Sequence, residues 1–118
     1  TLDRSSAASD VYKRQVHDQE RADALAQIEA VSKAAATRLN ELVRQRKAID
    51  EEMEFYKKDP SKAPAYVRRQ LEENTQSQNV QKRFIADQEA EARRLNARFD
   101  DELVRLRELW AQMAPASK

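Results

Sequence analysis

Beginning at Leu25, apolar and small residues recur at alternating steps of three and four: Leu25, Ile28, Ser32, Ala35, Leu39, Leu42, Arg46, Ile49, Met53 and Tyr56. That alternation is a period of 3.5, the repeat of a coiled-coil stripe along one helix, and it excludes the period of two that a strand requires. Upstream the same frame lands on Asp18 and Arg21, so the stripe fades, although no helix breaker intervenes. A helix is expected over residues 16–58. A second stripe runs through Val67, Leu71, Asn74, Gln78, Gln81, Ile85, Gln88, Ala92, Leu95 and Phe99. It then steps by four to Leu103 and continues through Leu106, Trp110 and Met113, a stutter that locally unwinds a supercoil. This second helix is expected over 64–114, with a short tail at 115–118.

Between the stripes stands Asp59-Pro60-Ser61-Lys62-Ala63-Pro64. Pro60 disfavours helical backbone at Asp59, which predicts a turn at 59–63. Lys57 and Lys58 are placed to complement the dipole of an ending helix, and Ser61 to cap the next one ahead of Pro64. Two helices joined by a short loop fold back on each other. The predicted fold is therefore all-α, an antiparallel two-helix coiled-coil hairpin. Facing stripes suggest a register with Tyr56 opposite Val67, Met53 opposite Leu71, Leu39 opposite Ile85, Ile28 opposite Leu95 and Leu25 opposite Phe99. Four i,i+4 pairs are expected on exposed faces: Glu29 with Lys33, Glu54 with Lys58, Glu89 with Arg93 and Asp101 with Arg105.

Composition sharpens this picture. The 118 residues include no Gly and no Cys. Without Gly there is no P-loop and no dinucleotide fingerprint, because both need backbone that approaches phosphate without a Cβ. Without Cys there is no disulfide framework, thiolate metal site or Cys nucleophile. The single histidine, His17, makes no His-based metal site alone. No apolar run approaches the length that spans a bilayer. No cofactor is expected.

Residues 5–15, SSAASDVYKRQ, resemble a transposase-type sequencing adapter translated in frame, since one legal codon choice reproduces such an oligonucleotide. The resemblance implies that residues 1–15 are non-native, that the natural chain starts near Val16, and that a signal peptide or further domain upstream of it would not be visible. The segment carries three bases, Arg4, Lys13 and Arg14, and two acids, Asp3 and Asp10; the whole chain has net charge +1, so the remainder is charge-balanced. A whole-chain electrostatic case for an anionic partner disappears with it.

What basic character remains is local. Lys57, Lys58, Lys62, Arg68 and Arg69 cluster around the expected turn with Phe55, Tyr56 and Tyr66, against Asp59 alone between residues 55 and 70. Such a tip has the chemistry to meet nucleic-acid phosphates, with bases stacking on Tyr66, or an anionic membrane surface. Glu51, Glu52, Glu54, Glu72 and Glu73 border it and shorten its field. Val80 and Phe84, at i,i+4 beside the second stripe, are a candidate lateral interface, and Val31 and Val43 flank the first stripe. The polar centre of the second stripe, Asn74, Gln78, Gln81 and Gln88, reads either as a layer that fixes register or as long side chains reaching for water.

Carboxylate pairs such as Glu51–Glu52 and Asp100–Asp101 stay hydrated on open helices, and Glu-x-x-His is absent, so no catalytic or metal-binding residue is expected. The Ala- and Arg-rich usage and the segment LNARFDDELVRLRELW resemble the coiled-coil ends of uncharacterised bacterial proteins, without anchoring a named family. The expected function is a non-catalytic structural or protein-interaction element of a larger protein, meeting a second copy or a partner helix. The alternative is a binding arm whose tip contacts nucleic acid or anionic lipid.

Overall fold

The computed structural model describes the backbone of residues 2–113 and the side chains from Ala8 onward. The expected tail, 115–118, lies outside the described residues. Two helices, α1 over Leu2–Met53 and α2 over Ala65–Met113, pack against each other in antiparallel directions, with no strand among the described residues. The protein is an all-α helical hairpin. Helix α1 runs through residues 2–15 without a break, which their Ala, Lys, Arg and Gln content permits.

The chain divides into two compact units, one containing the turn, Ala30–Glu89, and one made of Thr1–Glu29 with Ala90–Lys118. In the turn unit every predicted seam position is buried or half-buried, from Ser32 to Tyr56 on α1 and from Val67 to Gln88 on α2. Val67 is 0% exposed, and Ala63 and Leu42 are buried with it.

The turn is tighter than Pro60 alone suggests. Helix α1 ends at Met53 rather than near Lys58, and its last turn holds no basic residue. Glu51 and Glu52 sit there instead, where the dipole disfavours carboxylates. Residues Glu54–Tyr56 wind as a 3-10 turn, and the amides of Lys57 and Asp59 donate to the carbonyls of Glu54 (3.4 Å) and Tyr56 (3.0 Å). A 3-10 turn has three residues per revolution, so Glu54 meets Lys57 (3.1 Å) and not Lys58. Asp59 is held extended before Pro60, and its carboxylate accepts from the Ser61 amide (3.3 Å) and hydroxyl. Ser61 thus belongs to a second 3-10 turn, Pro60–Lys62, rather than capping α2. Pro64 caps α2 with its carbonyl, accepting from the Val67 and Arg68 amides. No described residue has positive φ, which is how a chain without Gly closes a turn.

Register in the turn unit differs from the predicted one by roughly a helical turn. Asn74 reaches Leu42, which the predicted pairing sets opposite Gln81, and Tyr66 reaches Glu52, next to Met53, which that pairing sets opposite Leu71. Helix α1 stops at Met53, short of the predicted end, and these bonds join α2 residues to earlier α1 residues than predicted, the smallest offset being that of Arg46 Nη1, which donates to Thr75 Oγ1 (2.8 Å). Asn74 holds this alignment. It is 4% exposed, its amide donates to the Leu42 carbonyl (2.8 Å), and its oxygen accepts from Gln78 Nε2 (2.7 Å). A buried, satisfied amide fixes register at some cost in stability. Asn74→Leu is expected to raise stability by about 1 kcal/mol while loosening alignment. Spin labels at exposed Arg44 and Gln76 should then give a broader distance distribution; an unchanged distribution with lower stability refutes the role.

In the other unit α2 carries the stutter: Phe99 and Trp110 are buried, Leu103 and Leu106 half-buried, and Met113 exposed. Helix α1 answers it with His17 in place of the predicted seam position Asp18, which is exposed. A seam rotated on one helix needs a matching rotation on its neighbour. Of the i,i+4 pairs predicted from sequence, none is among the ion pairs of the described residues; Arg14–Asp18 and Arg46–Asp50 form at that spacing instead.

Candidate functional site

Three surfaces and one buried cluster carry the chemistry that this fold displays. At the turn, Phe55 stands on the first 3-10 turn and is 86% exposed. Tyr66, half-exposed in the first turn of α2, donates its hydroxyl to the Glu52 carboxylate (3.2 Å). The negative charge of Glu52, and the hydrogen bond to it, hold the Tyr66 phenol above its ordinary value of 10.0. Lys57, Lys58, Lys62, Arg68 and Arg69 are all exposed around these rings. Lys57 is tied to Glu54, and Arg68 donates from Nε to the Ala63 carbonyl (3.2 Å), which offsets the unfavourable placing of a cation at a helix N-terminus. Lys58, Lys62 and Arg69 have no ion pair among the described residues.

The second surface is one flank of the turn unit. Three adjoining hollows share Arg38 and run from Ala48, Gln45 and Gln70 past Glu73 and Ser77 to Ala34, Val31, Val80 and Phe84. Val80 is 62% exposed, and Phe84 also stands open to solvent. A hollow on the other flank of α1 is lined by Val43 with the charged Arg46, Lys47, Asp50, Glu51 and Glu54. Both flanks carry charge and differ in what accompanies it: Arg38 and Glu73 lie with several Gln among Val31, Ala34, Val80 and Phe84 on one, and Val43 stands alone among ionic groups on the other. Val31 joins Val80 and Phe84, whereas Val43 lies apart from them.

The third surface and the buried cluster belong to the other unit. Val16, His17, Leu106, Leu109, Trp110 and Met113 line an apolar hollow with Tyr12, Lys13 and Glu20. His17 is 5% exposed; its ring packs at 5.1 Å and 58° on Phe99, and Nε2 lies 3.7 Å from Glu102. Neither ring nitrogen has a hydrogen-bond partner. Arg21 lies over the same Phe99 ring (5.6 Å) while its guanidinium pairs with Asp100. The sequence frame sets Arg21 on the seam with Asp18, not His17, above it, because it carries the three-four alternation upstream unchanged. The signal that finds His17 is its spacing from Arg21: a four-residue step that mirrors the Phe99–Leu103 stutter.

Among the described residues no group of three or more His, Cys, Asp or Glu side chains gathers to hold a metal ion. No described helix is long and apolar enough to cross a membrane. Compared with protein-family models, curated proteins and solved structures, the chain gives no match.

Proposed function

We propose that this chain is a non-catalytic coiled-coil element that works through protein contact, and that its partner on the Val80–Phe84 flank is a second copy of itself. The observation that carries the reading is the makeup of that flank. A two-fold interface needs knobs and holes on one and the same patch. Phe84 and Val80 supply projecting apolar groups, and Ala34, Ala48 and Ser77 supply places where a backbone can come close. Arg38 and Glu73 add charges of opposite sign to the same hollows. The opposite flank, charged throughout apart from Val43, favours water.

Light scattering across a concentration series tests this. The protein is expected to associate with a dissociation constant of about 10 μM or tighter, and Val80→Glu with Phe84→Glu to weaken that at least about tenfold without loss of helicity. A protein that stays monomeric well above that concentration, or a double variant that associates unchanged, overturns the second copy as occupant. A monomer that gains a heterologous helix on this flank assigns the flank to a partner protein instead.

A further inference from the structure

We propose that the turn end of the hairpin docks on anionic lipid bilayers, with Phe55 entering the interfacial region and Lys58, Lys62 and Arg69 meeting the headgroups. This goes beyond the protein-contact reading and uses different residues. Phe55 is 86% exposed, more so than any other large apolar side chain among the described residues. It stands on the first 3-10 turn, Glu54–Tyr56, none of whose residues is buried. An exposed apolar ring beside cations matches the two-part chemistry of an interfacial anchor, in which neither part suffices alone. Tyr66 fits the same surface, since its hydroxyl is already held by Glu52 while the ring stays half-exposed.

Charge placement separates a bilayer from a nucleic acid. Lys58, Lys62 and Arg69, which have neither an ion pair nor a side-chain hydrogen bond among the described residues, sit at or just beside the turn. Asp59 shares the turn, Glu54 beside Phe55 is tied to Lys57, and Glu51, Glu52, Glu72 and Glu73 stand on the adjoining turns of the two helices. A flat anionic surface that touches only the turn meets Phe55, Lys58 and Lys62 against a single acid without a cation, Asp59, whose carboxylate is turned to the Ser61 amide and hydroxyl. A polynucleotide spanning several phosphates runs on into those carboxylates, which repel it.

Co-sedimentation with vesicles tests the proposal on the full chain. Vesicles of phosphatidylcholine containing about one third phosphatidylglycerol are expected to bind the protein, and pure phosphatidylcholine to bind it at least about tenfold more weakly. Lys58→Ala and Lys62→Ala should each lower partitioning about fivefold, and Phe55→Ala about tenfold, with circular dichroism unchanged because all three side chains are exposed. Binding that ignores the anionic lipid, or survives Phe55→Ala with Lys58→Glu and Lys62→Glu combined, overturns the proposal. So does tighter binding to a single-stranded oligonucleotide than to the anionic vesicles at equal phosphate, which assigns the tip to nucleic acid.

Discussion

Replacing Trp110 by Ala is expected to cost about 3–5 kcal/mol, concentrated in the unit formed by residues 1–29 and 90–118. Trp110 is buried against the hollow that Val16, His17, Leu106 and Leu109 line. Two helices alone bury one narrow stripe each, so a single indole is a large share of what holds this unit together. Nearby side chains have little capacity to close the gap. The His17 ring is packed on Phe99, and Met113 is already mostly in water. Amide hydrogen exchange reads the effect locally. Protection of residues around His17 and Leu106 should fall by two to three orders of magnitude, while amides near Val67 keep theirs. Uniform loss across both units, or none, contradicts a separate core at Trp110.

Most of the stripe was legible in sequence, and the reason is physical. A period of 3.5 needs no knowledge of the partner helix, so Leu42, Ala35, Leu95 and Phe99 are recognisable as buried positions from spacing alone. Alignment between the stripes is different. Apolar layers recur every three or four residues, and sliding one helix by a turn still sets apolar against apolar. Only features that break this degeneracy choose the register: the two 3-10 turns and the Asn74–Leu42 bond. Each depends on geometry at the loop, where three residues per turn replace 3.6 and where Lys57 rather than Lys58 finds Glu54.

The candidate surfaces divide along the same line. Lys58, Lys62, Arg69, Val80 and Phe84 lie exposed where their spacing placed them. Sequence had no means of showing that Arg68 turns back to the Ala63 carbonyl, or that Val31 and Ala34 share a hollow with Phe84 while Val43 does not. Those distinctions depend on which side of the seam a residue falls in three dimensions. They also single out Lys58, Lys62 and Arg69 as the tip cations with no side-chain partner among the described residues, and set Val31 and Ala34 in one hollow with Phe84.

Val67→Asp should have an effect of similar size on the turn unit, with a pH signature that packing loss alone does not produce. Val67 is 0% exposed in the first turn of α2, and Ala63 is buried with it. A carboxylate placed there has no cation free to meet it, because Arg68 is committed through Nε to the Ala63 carbonyl and Arg69 is exposed. Leaving it charged and unpaired costs about 3–5 kcal/mol, so the folded state favours the protonated form and raises the pKa of the new group. A group whose folded pKa is raised is least destabilising below its unfolded value, about 3.9, and loses stability as pH climbs through the folded value. The variant should therefore unfold at the turn near neutral pH and recover part of its stability toward pH 4, before other carboxylates protonate. Val67→Asn provides the comparison, since it buries a polar group of similar size that does not titrate. Thermal midpoints of the two variants should converge at low pH and diverge at neutral pH; parallel curves mean that Val67 matters only for its volume.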